Sequence, residues 1–453
     1  MTEVSSKLGY REKIFFGIGE IAATSSNTII GFLYLYYLTD VVGLSPAYAG
    51  LAILIGKLWD AITDPMIGLL SDRTKSRWGR RRVYLLFGAI PLGITFFFLW
   101  AIPASWNELT KLFYTSISYM AHMTSLTVIV VPYQTLMVEM TDDYDQRTAL
   151  SSYRMSFNIL GGMIAVISAK LLTEMIQPTY RGFLIMGIII GFIISIAPLF
   201  PFWGCQEKLF RDSGAFSTRE DLQQIWNNIP FRHVLIMFLM IWSSIQVMMA
   251  MLVYFVQYYA QLQNYFLHLL VILQVVATVF IPFWLKISHS LGKRKTYLIG
   301  TGFFGLCILS LILVPPKQVL LSFILAFLVG IGLSSAQVLS HAMVPDSIDY
   351  GYWQTGKRKE GVYYGVLTFV QKIATASALG LSGLILDLTG YVPNAIQTTR
   401  ALWAIRILLG LFPGILILIG MVAIYHYPIS KDFYQKIKEE LIDREKRRVN
   451  VTD

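Results

Sequence analysis

Charged side chains placed inside apolar runs are the residues most able to do chemistry in this chain. In the stretch KLWDAITDPMIGLLSDRTKSRWGRRR, residues 57–82, Lys57, Asp60 and Asp64 recur at i, i+3 and i+7, so a helix stacks all three on one face. A charge in the middle of a bilayer costs about 2.5–3.5 kcal/mol on insertion scales, and such residues face a bundle interior or a water path. The stretch therefore reads as a buried ionic site, and the basic cluster that closes it as a cytoplasmic loop. Glu20, Thr24 and Asn27 form a second polar stripe through an apolar run and read as a cavity lining. Lys372, one turn after Thr368 and followed by small residues, needs a carboxylate, a polar ligand or water, and Arg154 begins another apolar run. Glu139, Lys170, Asp387 and Arg406 lie near the ends of such runs, where snorkelling and pairing with loop charges give them structural roles.

Nothing in the chain points to catalysis. The six histidines, at 122, 233, 268, 289, 341 and 426, lack metal-ligand spacing, and His122 and His341 read as isolated polar packing. There is no phosphate-cradling loop after a strand and no nucleophile elbow. Cys205 and Cys307 offer neither a disulfide framework nor a metal site. The expectation is a protein that is not an enzyme and uses no cofactor.

The elements that must carry these residues are membrane helices. Of 453 residues 55% are hydrophobic and only 14% charged, with a mean hydropathy of +0.58, whereas soluble chains are about 25% charged. A span needs about 20 apolar residues. Twelve fit, at about 14–39, 46–70, 84–103, 110–140, 149–173, 180–203, 231–260, 265–288, 296–315, 318–345, 361–388 and 400–426. The net charge of +10 sits mostly in the tails and in alternate loops, which a positive-inside bias explains without a nucleic-acid partner. Basic tails, from Lys7, Arg11 and Lys13 at one end to Lys431 through Arg448 at the other, place both termini in the cytoplasm. DVVGLSP, IPASWNE, MIQPTY, QLQN, VPPKQ and GYVPNAIQ then face outward. The polar N-terminus precedes a run too long and aromatic for a cleaved signal peptide.

The longest internal connection, 204–230, divides a first six-helix half, 1–203, from a second, 231–428, and leaves a tail over 429–453. GRRRVYLL at 79–86 recurs as GKRKTYLI at 292–299, in equivalent loops of the two halves, as parallel repeats require. In the tail, Phe433, Ile437, Leu441 and Ile442 share one side of a helical pattern, which suits an amphipathic helix on the inner leaflet.

The chain resembles the glycoside-pentoside-hexuronide:cation symporters of the major facilitator superfamily, whose best-studied type is the melibiose carrier. The resemblance rests on YYLTDVVGLSP (36–46), WDAITDPMIGLLSDRTKSRWGRRR (59–82), VPYQTL with TDDYDQRT (131–148), MVPDSIDYGYWQTGKRKEG (343–361) and GYVPN (390–394), in family order. It implies that Asp60 and Asp64 hold the coupling cation, sodium, lithium or a proton, with Thr63 and Thr127 as auxiliary oxygen ligands. Lys57 and the eleventh-span Lys372 match basic positions that neutralise the pair once the cation has left. The sugar contacts differ: the carrier's first-span carboxylate aligns with Thr24, its fourth-span carboxylate with Val130 or a neighbour, and its stacking tryptophan with Gln134. What survives is basic, Arg154 and Lys372, and suits an anionic solute such as a hexuronide, although Glu20 works against that inference.

The expected function is cation-coupled symport of a sugar, glycoside or hexuronide-like solute by alternating access. The solute site is expected to draw on Glu20, Thr24, Gln134, Arg154, Thr368 and Lys372. The loops 72–82 and 346–359 are expected to act as gates, with Asp72, Arg73, Asp346 and Asp349 pairing across halves in the outward-facing state. A lysophospholipid carrier is the second reading, because that branch shares the aspartate pair and the lysine. A scaffold or receptor that moves no solute ranks below both, since it has no use for buried charge. The expected setting is a monomer in a bacterial inner membrane, with solute, coupling cation and lipid as partners.

Overall fold

The computed structural model describes residues 8–141, 143–207, 219–356 and 360–452. Lys7, residues 208–218 of the connection at 204–230 and the 357–359 part of the second gate loop lie outside the described residues. The described chain is all helix. The segments are α1 (Tyr10–Ile29, continued by π-helical turns Ile30–Tyr34 and Tyr37–Val41), α2 (Pro46–Arg73), α3 (Arg82–Leu99), α4 (Glu108–Met140), α5 (Tyr144–Met175) and α6 (Thr179–Gly204). A short helix, Arg219–Asn227, precedes α7 (Ile229–Tyr259), α8 (Gln263–Leu291), α9 (Lys293–Leu313), α10 (Val319–Thr355), α11 (Gly361–Leu388) and α12 (Thr399–Tyr425), and α13 (Lys431–Thr452) closes the chain. Ten of these, α3 to α12, are long and apolar enough to cross a membrane. The polar side chains of α1 and the ionic triplet of α2 lower their hydropathy, yet both have crossing length, and the fold is that of a twelve-helix membrane protein.

Two compact units divide the chain. The first holds residues up to Gly214 together with Leu379–Ala401, so the end of α11 belongs with it; the second holds Ala215–Ala378 and Leu402 onward. Within the first, α1 packs on α5, α2 and α3 on α4, and α3 also on α6. Within the second, α8 and α9 pack on α10, and α9 also on α12, so each half repeats one packing plan. Small residues set the spacing, since apolar faces gain little from each other in lipid. At Gly93 of α3 an added Cβ would meet the Gly191 carbonyl of α6 at 2.4 Å, so only glycine permits that approach.

Two elements differ from their sequence-based expectation. α10 runs to Thr355, well past the apolar run, because its polar last turns are anchored: Asp346 accepts from Lys293 at 2.6 Å and Asp349 from Tyr434 at 2.7 Å. α13 packs its start on α10, with Ile437 buried, Phe433 against Tyr350 and Trp353, and Trp353 Nε1 donating to Glu440 at 2.7 Å. Of the apolar side, Ile437 is buried and Phe433 and Leu441 are half-buried, while the Ile442 side chain lies outside the described residues. Burial pushes the Tyr434 hydroxyl above its ordinary pKa, and the facing carboxylate of Asp349 adds to the shift.

Candidate cation and solute sites

The α2–α4 seam builds the first site. Trp59 Nε1 donates to Thr124 at 2.9 Å and Lys57 Nζ lies 3.6 Å from Met123 Sδ, which fixes the register of the two helices one turn before the aspartates. That register brings Thr127 between the carboxylates: its hydroxyl oxygen is 2.9 Å from Asp60 Oδ1 and 2.9 Å from Asp64 Oδ1. Asp60, Thr63 and Thr127 are buried and Asp64 is half-buried. A hydroxyl has one proton and two lone pairs, so it donates to one carboxylate and meets the other as an acceptor. Such an arrangement is satisfied when the second carboxyl carries a proton or when a cation lies between the oxygens.

Nearby oxygens extend this donor set. Thr63 Oγ1 donates to the Asp60 carbonyl at 3.1 Å and keeps its lone pairs. Pro65 lies inside α2 and has no N–H, so the Ala61 carbonyl one turn back loses its usual helical partner. Among the described residues no three or more His, Cys, Asp or Glu side chains gather as a metal site. A cation here would draw on two carboxylates and on hydroxyl and carbonyl oxygens, which suits a hard ion.

The second site joins α1 to α5. Arg154 Nε lies 3.7 Å from Glu20 Oε2, Asn158 Nδ2 donates to Glu20 Oε1 at 3.0 Å, and Thr24 Oγ1 donates to the Asn158 carbonyl at 3.2 Å. Arg154 is therefore not an unopposed cation, and the case for an anionic solute changes accordingly. Gln134 is exposed on α4. Thr368, whose hydroxyl donates to the Tyr364 carbonyl at 2.9 Å, and the half-buried Lys372 are carried by α11 within the second unit.

The two basic loops form matching clasps. Arg80 Nη2 binds Glu139 at 2.7 Å, and Arg81 binds Glu139 at 3.0 Å as well as Asp72 and Ser71. The hydrogen bond to Glu139, helped by the nearby carboxylates of Asp72 and Glu207, holds the Arg80 guanidinium charged, its pKa above the ordinary value against the opposing effect of burial. In the second unit Lys293, at the position equivalent to Arg80, binds Asp346 of α10 as Arg80 binds Glu139 of α4. Gly79 and Gly292, which start the two motifs, both have positive φ, +98° and +83°. Of the expected gate residues, Asp72, Asp346 and Asp349 have partners within their own units, while Arg73 is exposed.

Sequence reasoning misses Asn158 and Glu207. Glu207 accepts from the backbone amides of Arg80, Arg81 and Arg82 at 2.8, 2.9 and 2.8 Å, an anion seated on the start of α3. Its only signal is that of an acid just after the sixth apolar run. Asn158 has a clearer one, a polar residue one turn after Arg154.

The family model described as MFS/sugar transport protein matches residues 15–431. The symporter YnaJ of Bacillus subtilis is 31% identical, over 98% of this chain and 97% of its own. The glucuronide carrier protein homolog of Escherichia coli is 26% identical over 98% of both chains. The sodium-dependent lysophosphatidylcholine symporter 1-B of Danio rerio is 26% identical over 95% of this chain and 89% of its own. Among solved structures, a point mutant of the nucleoside transporter NupG superposes with a TM-score of 0.65 at 14% identity, covering 91% of this chain and 98% of that one. That likeness concerns the fold alone.

Proposed function

This chain belongs to the MFS/sugar transport protein family, a family of transporters and not of enzymes, and on that premise we propose that it is a cation-coupled symporter of the glycoside-pentoside-hexuronide type. Its solute is a sugar, glycoside or hexuronide-like molecule, and its coupling ion is sodium or a proton bound at Asp60, Asp64, Thr63 and Thr127. The observation that carries this reading is the Thr127 hydroxyl lying 2.9 Å from both carboxylates. Binding of the cation there would tie α2 to α4 and stabilise the state that takes solute, which is how one ligand biases a conformational equilibrium for another. Lys57, one turn away, and Lys372 would balance the pair when it is empty. Glu20, Thr24, Gln134, Arg154, Thr368 and Lys372 would meet the solute as the carrier moves between its two access states.

The basic loops would face the cytoplasm of a bacterium, with both termini on that side, and the two six-helix halves would rock as a monomer around the solute. Asp72, Arg73, Asp346 and Asp349 would pair across halves in the outward-facing state. A lysophospholipid solute is the second reading, favoured by the likeness to the sodium-dependent lysophosphatidylcholine symporter.

Uptake into proteoliposomes decides among these. Neutral sugars, uronides, sulfonated sugars and lysolipids are offered with and without sodium or proton gradients. Gradient-driven uptake of a glycoside or uronide, lost in Asp60→Asn and Asp64→Asn, is the expected result. Uptake that both variants retain removes the coupling assignment, and uptake of lysolipid alone replaces the solute class.

A further inference from the structure

Glu20 is held by two hands. Its Oε2 faces Arg154 Nε at 3.7 Å and its Oε1 accepts from Asn158 Nδ2 at 3.0 Å, and these two partners occupy successive turns of α5. The side chains of Glu20 and Arg154 retain 13% and 30% of their exposure. Charge inside a membrane bundle faces water or protein and not lipid, so this exposure marks a polar surface that a solute can reach. From α4, Tyr133 is turned away, its hydroxyl donating to the Phe16 carbonyl at 2.7 Å. The immediate exchange is therefore between Glu20 and Arg154.

The two contacts are unequal. The Asn158 bond is of ordinary length, whereas the Arg154 contact is a single, long approach. Guanidinium has five N–H donors in a planar fork and binds a carboxylate best through two parallel bonds. Glu20 thus satisfies Arg154 electrostatically and leaves its fork available for bidentate recognition.

We propose that Glu20 is a resident stand-in for the solute's anionic group: an incoming carboxylate takes the Arg154 fork, and Glu20 stays tethered to Asn158. This inference rests on the reading of the chain as a glycoside or hexuronide carrier. It makes Glu20 the residue that sets discrimination between uronides and neutral sugars. While Glu20 is charged, an anionic solute competes with it for Arg154; a neutral glycoside meets no such competition.

Two readouts on the full-length purified protein test it. Glu20→Gln keeps a carbonyl oxygen for Asn158, removes the charge and replaces the oxygen that faces Arg154 by an amide NH2, which cannot accept from the guanidinium. The first readout needs no solute: modification of Arg154 by phenylglyoxal, followed by mass spectrometry, is expected to speed up about tenfold in Glu20→Gln. An unchanged rate overturns the proposal. The second is calorimetric binding of methyl glucuronide and methyl glucoside, where Glu20→Gln is expected to bind the glucuronide about tenfold more tightly with no gain for the glucoside. In the Arg154→Gln background the same change is expected to bring no gain. Equal gains for both ligands, or a weaker glucuronide, overturn it. Faster modification with no binding of either glycoside leaves Glu20 as a stand-in for a different anion and fails the glycoside reading instead.

Discussion

Tyr391 donates its hydroxyl to the buried carboxylate of Asp40, 2.7 Å from Oδ1 and 2.9 Å from Oδ2, and so clasps the end of α1 to the segment that follows α11. Thr39 Oγ1 adds a donor at 2.6 Å and Asn394 Nδ2 holds the Asp40 carbonyl at 2.6 Å. On the proposed orientation this clasp lies on the external side. Hydrogen bonds to a charged group contribute about 1.5–3 kcal/mol each. Tyr391→Phe is expected to lower the unfolding temperature of the purified protein by that order of stability, and Asp40→Asn by less, since an amide oxygen still accepts. Thermal denaturation in detergent measures both.

Thr127→Val keeps the shape of the side chain and removes the hydroxyl between the aspartates. The cation concentration that half-saturates uptake is expected to rise about 10–100-fold, the usual loss when a supporting partner of an ion ligand is removed. Thr127→Ser is expected to stay near the parent value. Cation titration of uptake at fixed solute checks the pair.

Glu139 is the acid shared by Arg80 and Arg81, and Glu139→Ala would take that shared carboxylate from both guanidinium groups. Breaking a buried ion pair from one side costs about 3–5 kcal/mol. Stability is expected to fall by that amount, and a second change, Arg81→Met, is expected to restore part of it. A double-mutant cycle on thermal stability gives the coupling.

Gly79→Ala meets two obstacles together. A Cβ there would lie 2.5 Å from Glu207 Oε1, and the backbone at φ +98° lies outside the range that L side chains adopt comfortably. The strain alone costs about 1–2 kcal/mol, and displacement of Glu207 from three amides adds to it. The loss is expected to be smaller when Glu207→Ala is already present, because the clash is then gone. Folded yield and melting of the two backgrounds check this.

Hydropathy and period make much of this legible. The apolar runs mark the crossing helices, and the i, i+3, i+7 spacing of Lys57, Asp60 and Asp64 puts them on one face of α2 by helical period alone. Thr127 enters only through family resemblance, since nothing local ties a threonine of α4 to aspartates of α2. Asn158, Glu139 and Glu207 gain their roles from partners far away in sequence, which local pattern does not reach. The apolar run stops short of the end of α10 for the same reason: its polar last turns are helical because Lys293 and Tyr434 wait for them.

The seat of Glu207 has a bearing on how the chain can be cut. By docking on the amides of residues 80–82, that carboxylate ties the start of the connection back onto the first half. That fastening is thus complete within residues 1–207, whereas the clasp of Tyr391 on Asp40 draws on the later segment. A gene opened just beyond codon 207 would deliver two fragments, the first of which carries this rivet with it.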